Sequence, residues 1–192
     1  MNNVVHYWDM ISEIEVDPTW KNHVPSGYRE YRQKFDQAQK REYSETFPIS
    51  FEIEATYHCN LKCPYCPRFA NFGEREEKHL SKELWKKILE ESHENGLRAI
   101  LMDHEAESLM NPEIFKMIEE AKDAGIIDVW LHTNANMLTP ELSHRLINSG
   151  LTKINFSIDA FSKETYDILR VGGNYHKVLK NINDFLNIKK EN

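Results

Sequence analysis

At 192 residues, with 40% hydrophobic and 29% charged content, the chain is long enough to bury a sizeable core, as one domain or as one domain with a small extension. A formal net charge of -7, from 24 Lys and Arg against 31 Asp and Glu, speaks against a general phosphate-binding surface, so nucleic acid is not an expected partner. The apolar runs are too short to span a bilayer, the first ten residues lack the basic and then apolar order of a signal peptide, and three closely grouped cysteines make no disulfide framework. Together these point to the cytoplasm and away from the membrane.

Residues 1–48 form an amino-terminal extension, in which Val4, Val5, Tyr7 and Trp8 precede Asp17, Pro18 and the breaker Pro25, Ser26, Gly27. Tyr28, Tyr31 and Phe35 recur at three and four positions among Arg, Lys and Gln, which predicts an amphipathic helix packed on a larger body. From Phe47 onward strands and helices alternate, so residues 49–192 are expected to form one core domain.

Strand one is predicted over 49–56. The next helix is capped by Ser81, places Leu84, Trp85, Ile88 and Leu89 on one side, and stops at Gly96. Strand two follows over 99–103. A helix then begins at Asn111 with Pro112 and Glu113 in its first turn, carries Ile114, Phe115, Ile118 and Ala121, and ends at Gly125.

The same grammar repeats in strand three over 128–132. A helix follows with Thr139 as cap, Leu142, Leu146 and Ile147 as its face, and Gly150 as its stop. Strand four covers 153–158. The helix after it is capped by Ser162, with Phe161 placed to pack on Tyr166 as a hydrophobic staple, and Gly172 and Gly173 interrupt it. A last helix carries Tyr175, Val178, Leu179, Ile182, Phe185 and Leu186 on one buried face. Helical crossovers between strands make the pairing parallel and right-handed, giving an α/β fold that is either an open doubly wound sheet or the arc of a barrel. In both, chemistry gathers where the carboxyl ends of the strands meet their loops.

Every polar cluster falls at that edge. After strand one comes Cys59-Asn60-Leu61-Lys62-Cys63-Pro64-Tyr65-Cys66, which holds all three cysteines of the protein. Thiolate is a ligand that both iron and zinc accept, and three thiolates are one short of a closed tetrahedral shell, leaving a metal position open. Buried structural cysteines are a poor account of three thiols flanked by Pro64 and Pro67. A zinc-binding interaction module in which His58 or His79 completes a Cys3His set is the alternative from a different class. The other strands end in 103–110 (Asp-His-Glu-Ala-Glu-Ser-Leu-Met), in Thr133, Asn134 and Ala135, and in Ser157, Ile158 and Asp159.

Over residues 50 to 188 these segments, in this order, resemble the radical S-adenosylmethionine (radical SAM) enzymes. The resemblance implies that Cys59, Cys63 and Cys66 hold a [4Fe-4S] cluster whose fourth iron chelates S-adenosyl-L-methionine. It also implies reductive cleavage to a 5'-deoxyadenosyl radical that abstracts hydrogen from a peptide, sugar or small-molecule substrate. Glu107 to Pro112 sits where the family has Gly-Gly-Glu-Pro, near the amino group of the methionine, with Ala106 and Ser108 departing from that pattern. Thr133-Asn134-Ala135 is similar to a Thr-Asn-Gly after strand three, and Ser157-Ile158-Asp159 to a Ser-Ile-Asp near ribose and methionine. Arg170 matches an arginine that meets the methionine carboxylate, and Tyr65 is placed to lie against the adenine or to serve as packing. These types suit the ligand, because an ammonium seeks oxygens, a carboxylate seeks a guanidinium, and a diol seeks short polar groups. His104 and Glu105 are additions to the loop, facing either a substrate or water.

By this resemblance the fold is a partial (βα) barrel of four parallel units, most similar to the peptide-modifying branch with SPASM extensions, and a reductant such as flavodoxin or ferredoxin is implied. The family barrel has six units, so the expectation is a chain truncated after the fourth, a half that pairs with a complementary carboxy-terminal half, or a self-associating protein. A catalytically incomplete half-barrel subunit is the corresponding alternative function, and no catalytic residue is assigned.

Overall fold

In the computed structural model, which describes residues 24–70 and 78–191, the strands β1 (Ser50–Glu52), β2 (Ala99–Leu101), β3 (Asp128–Thr133) and β4 (Lys153–Phe156) pair in parallel in the order β1-β2-β3-β4. The helices are α1 (Tyr28–Gln39), α2 (Pro67–Ala70), α3 (Lys82–Asn95), α4 (Ile114–Asp123), α5 (Pro140–Asn148), α6 (Lys163–Leu169) and α7 (Tyr175–Glu191). The alternation leaves a doubly wound sheet and the arc of a barrel both open, and the strands standing in sequence order make this the arc. The apolar residues at positions 4 to 8 lie outside the described residues.

Side chains alternate across each strand, and the two faces differ. Ile53, Ala55, Ile100, Met102, Val129 and Leu131 point to the helices and are buried with Trp85, Ile114, Ile118, Leu146, Val178 and Phe185. The opposite alternation places Glu52, Glu54, Asp103, Trp130, His132, Lys153, Asn155 and Ser157 on the other face. At ~1.5–3 kcal/mol for each fully buried large apolar side chain, the helix-covered face carries the stability.

The predicted caps form. Ser81 Oγ accepts from Leu84 N at 3.2 Å, Thr139 Oγ1 from Leu142 N at 3.3 Å, and Ser162 Oγ from Thr165 N at 3.2 Å. Helix α1 buries Tyr31 between Tyr28 and Phe35 in edge-to-face contacts. Ser26, Glu30 and Lys34 share a cavity with Ile49, Arg98 and Ile127, each of which immediately precedes a strand, so α1 lies at the amino ends, opposite the cysteines. Among the described residues no helix is long and apolar enough to cross a membrane.

Several local expectations need correction. Strand one leaves the ladder after Ile53, whose N–H donates to Leu101 O, and by Thr56 the chain bridges His79 instead, because the segment must turn into the cysteine loop. The second long helix begins at Ile114 rather than Asn111. A short 3₁₀ turn (Ser108–Met110) comes first, and the Asn111 side chain is held by Ala55 O at 2.7 Å while accepting from Glu113 N at 2.9 Å. Leu84, Leu179 and Leu186 sit at the borders of their apolar stripes and are exposed.

The staple does not form: Phe161 is fully exposed and Tyr166 packs on Tyr175, 5.4 Å between centroids. The break at Gly172 and Gly173 has a steric cause. Gly172 takes φ 94 against the cysteine loop, and a Cβ on Gly173 would stand 2.5 Å from the Tyr166 hydroxyl.

Candidate functional site

The cysteine loop is fixed from both sides by hydrogen bonds to its backbone. His58 O accepts from Glu107 N at 2.9 Å, Tyr57 O accepts from Arg68 Nη2 at 2.6 Å, and Val171 O accepts from Lys62 N at 2.8 Å. A tight turn, with Cys66 N donating to Cys63 O at 3.1 Å, brings the second and third cysteines together. Cys63 is buried, whereas Cys59 and Cys66 are half-buried, and all three are free thiols. Burial pushes the Cys59 thiol up, so at this position it is a ligand that needs a metal or a cation to hold its thiolate form.

One cavity of about 350 Å³ is lined by Cys59, Cys63 and Cys66 together with Tyr65, Glu107, Asn134, Ser157 and Arg170. Asp159 does not line it. It stands at the rim, in the left-handed region at φ 58, where it pairs with Arg170 and accepts from the Tyr65 hydroxyl.

Arg170 closes α6, its N–H donating to Tyr166 O at 2.7 Å, and sends its side chain back to the thiols, Nη1 lying 3.8 Å from Cys63 Sγ. Its Nε is buried and has no hydrogen-bond partner among the described residues. A guanidinium with a spare buried donor beside a cavity is suited to an incoming carboxylate.

Glu107 is the hinge of the polar edge. Its carboxylate accepts from Thr133 Oγ1 at 2.8 Å, Asn134 N at 2.7 Å and Leu109 N at 3.2 Å, and nearly complete burial pushes its proton affinity up. Three donors occupy three of roughly four lone-pair directions of a carboxylate, so Glu107 joins the end of β2 to the end of β3 and keeps one acceptor position. Asn134 reaches the cysteine loop, Nδ2 donating to Asn60 Oδ1 at 2.8 Å. Ser157 N donates to Thr133 O at 2.9 Å, which sets the Ser157 side chain at the cavity wall. Ala135 adopts φ 58, a conformation that favours glycine, and the turn is braced by Ala135 N donating to Thr133 Oγ1 at 3.0 Å and Asn181 Nδ2 donating to Ala135 O at 2.7 Å.

Sequence reasoning passed over three features. Arg68 lines the cavity beside the third cysteine. Asn136 is buried and accepts from Asn174 N at 3.0 Å, tying the loop after β3 to α7. His132 lies on the cavity wall with Asp103, their Nδ1 and Oδ2 2.7 Å apart. The signal for His132 was its place in the alternation of β3, on the face away from the helices.

The donor set can be weighed against its candidate metals. A structural zinc ion takes four protein ligands, so a histidine would have to complete the set of three thiols. Neither histidine of the Cys3His alternative lines the cavity of the thiols. His79 Nδ1 meets Thr56 Oγ1 at 2.9 Å, its ring stacks on His58 at 4.6 Å, and it borders a different groove between α3 and α4. Three thiols ringing one mouth, each free to take a separate iron, fit a cuboidal iron–sulfur cluster instead.

A parallel half-barrel with a three-thiol cavity at the carboxyl ends of its strands defines a class of cluster-binding α/β protein. The chain belongs to the radical SAM superfamily, whose family model matches residues 53–191. Curated relatives include a probable GTP 3',8-cyclase of Methanococcus maripaludis, 35% identical over 133 residues, covering 69% of this chain and 44% of that protein. Another is an AdoMet-dependent heme synthase of Methanosarcina barkeri, 32% identical over 130 residues, covering 67% of this chain and 36% of the relative. The chain therefore spans less than half the length of these relatives.

The solved structure of anSMEcpe with bound AdoMet superposes with a TM-score of 0.62 at 22% identity, covering 74% of this chain and 42% of that one. BtrN in complex with AdoMet and 2-DOIA superposes at 0.56 and 19% identity, covering 66% and 52%. These likenesses establish the fold.

Proposed function

We propose that this chain carries the cluster and cofactor half of a radical SAM enzyme, with Cys59, Cys63 and Cys66 holding a [4Fe-4S] cluster and S-adenosyl-L-methionine seated beside it. The observation that supports this reading is the shared cavity, which gathers three thiols with Arg170, Glu107, Asn134 and Ser157. When bound, the pair supplies one-electron cleavage of the sulfonium to a 5'-deoxyadenosyl radical that takes a hydrogen atom from the substrate.

The chain's own residues bind and orient. Arg170 exchanges its partner Asp159 for the methionine carboxylate, and the remaining acceptor position of Glu107 receives the ammonium. Ser157 and Asn134 face the ribose, Tyr65 covers the adenine, and Asp159, once released, accepts from a ribose hydroxyl. Residues 49–192 act as the core and 1–48 as an extension, in keeping with a family match that starts at residue 53.

The substrate is a peptide, a sugar or another small molecule. A peptide is in line with the peptide-modifying resemblance, whereas the curated relatives point to other substrates. Asp103 and Glu105 on the cavity wall, with Glu52 and Glu54 on the same sheet face, disfavour a polyanion at that end. Among the described residues β4 pairs with β3 alone, so its other edge is the place for a further strand, from a complementary half or partner. A flavodoxin or ferredoxin in the cytoplasm supplies the electron.

Anaerobic reconstitution tests the reading. The expected product is a brown protein with four irons and four sulfides per chain that forms 5'-deoxyadenosine on reduction with cofactor present. A colourless protein holding one tight zinc would overturn it.

A further inference from the structure

Beyond the thiols, the cavity has a second chemical end. Asp103 follows β2, His132 lies on β3 and Asn155 on β4, and the register that pairs His132 with Asn155 sets the three in a row across the sheet. His132 Nδ1 is 2.7 Å from Asp103 Oδ2, and His132 Nε2 is 2.7 Å from Asn155 Nδ2. With the Asn155 amide donating, Nε2 is bare and the ring proton sits on Nδ1, pointed at the Asp103 carboxylate. Turning the amide over presents its oxygen, which suits the other tautomer and a protonated Asp103. The row thus accommodates one proton at either end of the imidazole, and Asn155 is exposed, so it can yield Nε2 to an incoming group.

We propose that Asp103 and His132 are the proton-exchanging pair of the substrate end of this cavity, with Asn155 as the positioning residue. The inference rests on the radical SAM reading and adds a residue role to it. The substrate class is a molecule bearing an O–H or N–H on the carbon that loses its hydrogen atom. Such a heteroatom becomes more acidic once its carbon is a radical. Its proton passes to His132 Nε2 as the Nδ1 proton passes to Asp103, the bonding pair stays on the heteroatom, and no electron leaves the substrate, so the step needs no oxidant.

The surroundings match the two proton affinities. Burial, then the Glu107, Glu52 and Glu54 carboxylates, push the Asp103 carboxyl up to about 7, with His104 opposing; burial and Lys153 push the His132 imidazole down, with Glu52 opposing. A base poised near the working pH is the efficient one.

The test is a pH titration of the ring nitrogens of His132 by ¹⁵N NMR in the full chain, with cluster reconstituted and no substrate. The expected result is an Nδ1–H tautomer and a step shared with Asp103 near neutrality. Asp103→Asn should abolish the shared step near neutrality, because that proton is held between the two groups, and leave only the ring's own protonation at lower pH. A ring titrating as an isolated histidine, unmoved by Asp103→Asn, overturns the pairing, and the parent titration decides this even where the variant does not fold. On the first substrate the holoenzyme turns over, Asp103→Asn should lower kcat about a hundredfold and flatten its rise with pH; an unchanged pH profile overturns the role. A parent chain that takes up no iron refutes the cluster reading instead, and leaves the titration of the pair standing.

Discussion

The two faces of the sheet come from the same strands yet obey different rules. On the face under the helices, Ile100, Met102, Val129 and Leu131 are wholly buried within one apolar cluster. On the other face Ala99, Leu101 and Trp130 alternate with the helix-facing residues too, but beside them stand Glu52, Glu54, Asp103, His132, Lys153 and Asn155, which no folding argument would choose for burial. One face holds the fold together and the other carries polar groups toward the cavity, so under the proposed function substitutions should divide accordingly: loss of stability on the first, loss of binding with the fold retained on the second.

The strongest challenge to that division is Cys63→Ala, which should remove the cluster and all cofactor cleavage while thermal unfolding of the chain stays cooperative. Full iron content in the variant would show the ligand assignment to be wrong. Leu131→Ala, on the helix-covered face, should do the reverse, costing about 2–5 kcal/mol in denaturant unfolding while the surviving folded protein still takes up iron. Arg170→Ala should keep the cluster and weaken S-adenosyl-L-methionine binding about 10–100-fold, as expected for loss of ~1.5–3 kcal/mol from a charge-assisted contact; calorimetry on the reconstituted chain measures it.

Smaller effects sharpen the boundary. Ser81→Ala removes the acceptor at the start of α3 and should destabilise by about 1 kcal/mol without touching cofactor affinity. Phe161→Ser should change stability by less than ~0.5 kcal/mol, since that ring is fully exposed; a larger loss would restore the staple that the structure lacks.

Local signals carried much of this molecule. The Ser81, Thr139 and Ser162 caps form because a short hydroxyl satisfies helix N–H groups whatever lies further along the chain. The parallel sheet follows from crossover helices between apolar strands, and the three thiols fall together because they lie within eight residues of one another. Other features depended on long-range contacts. Asn111 became a bracket for Ala55 O ahead of the helix rather than its first residue, Phe161 lost its partner to Tyr175, and Asp159 became the partner of Arg170 at the rim.

His132 shows the limit most plainly, since in the chain it is one histidine in a strand, twenty-nine positions from Asp103. Periodicity tells which face a residue occupies, because it depends only on the repeat of the backbone. Which polar groups meet across neighbouring strands depends on the register of the ladder, and that is settled only when the whole core packs.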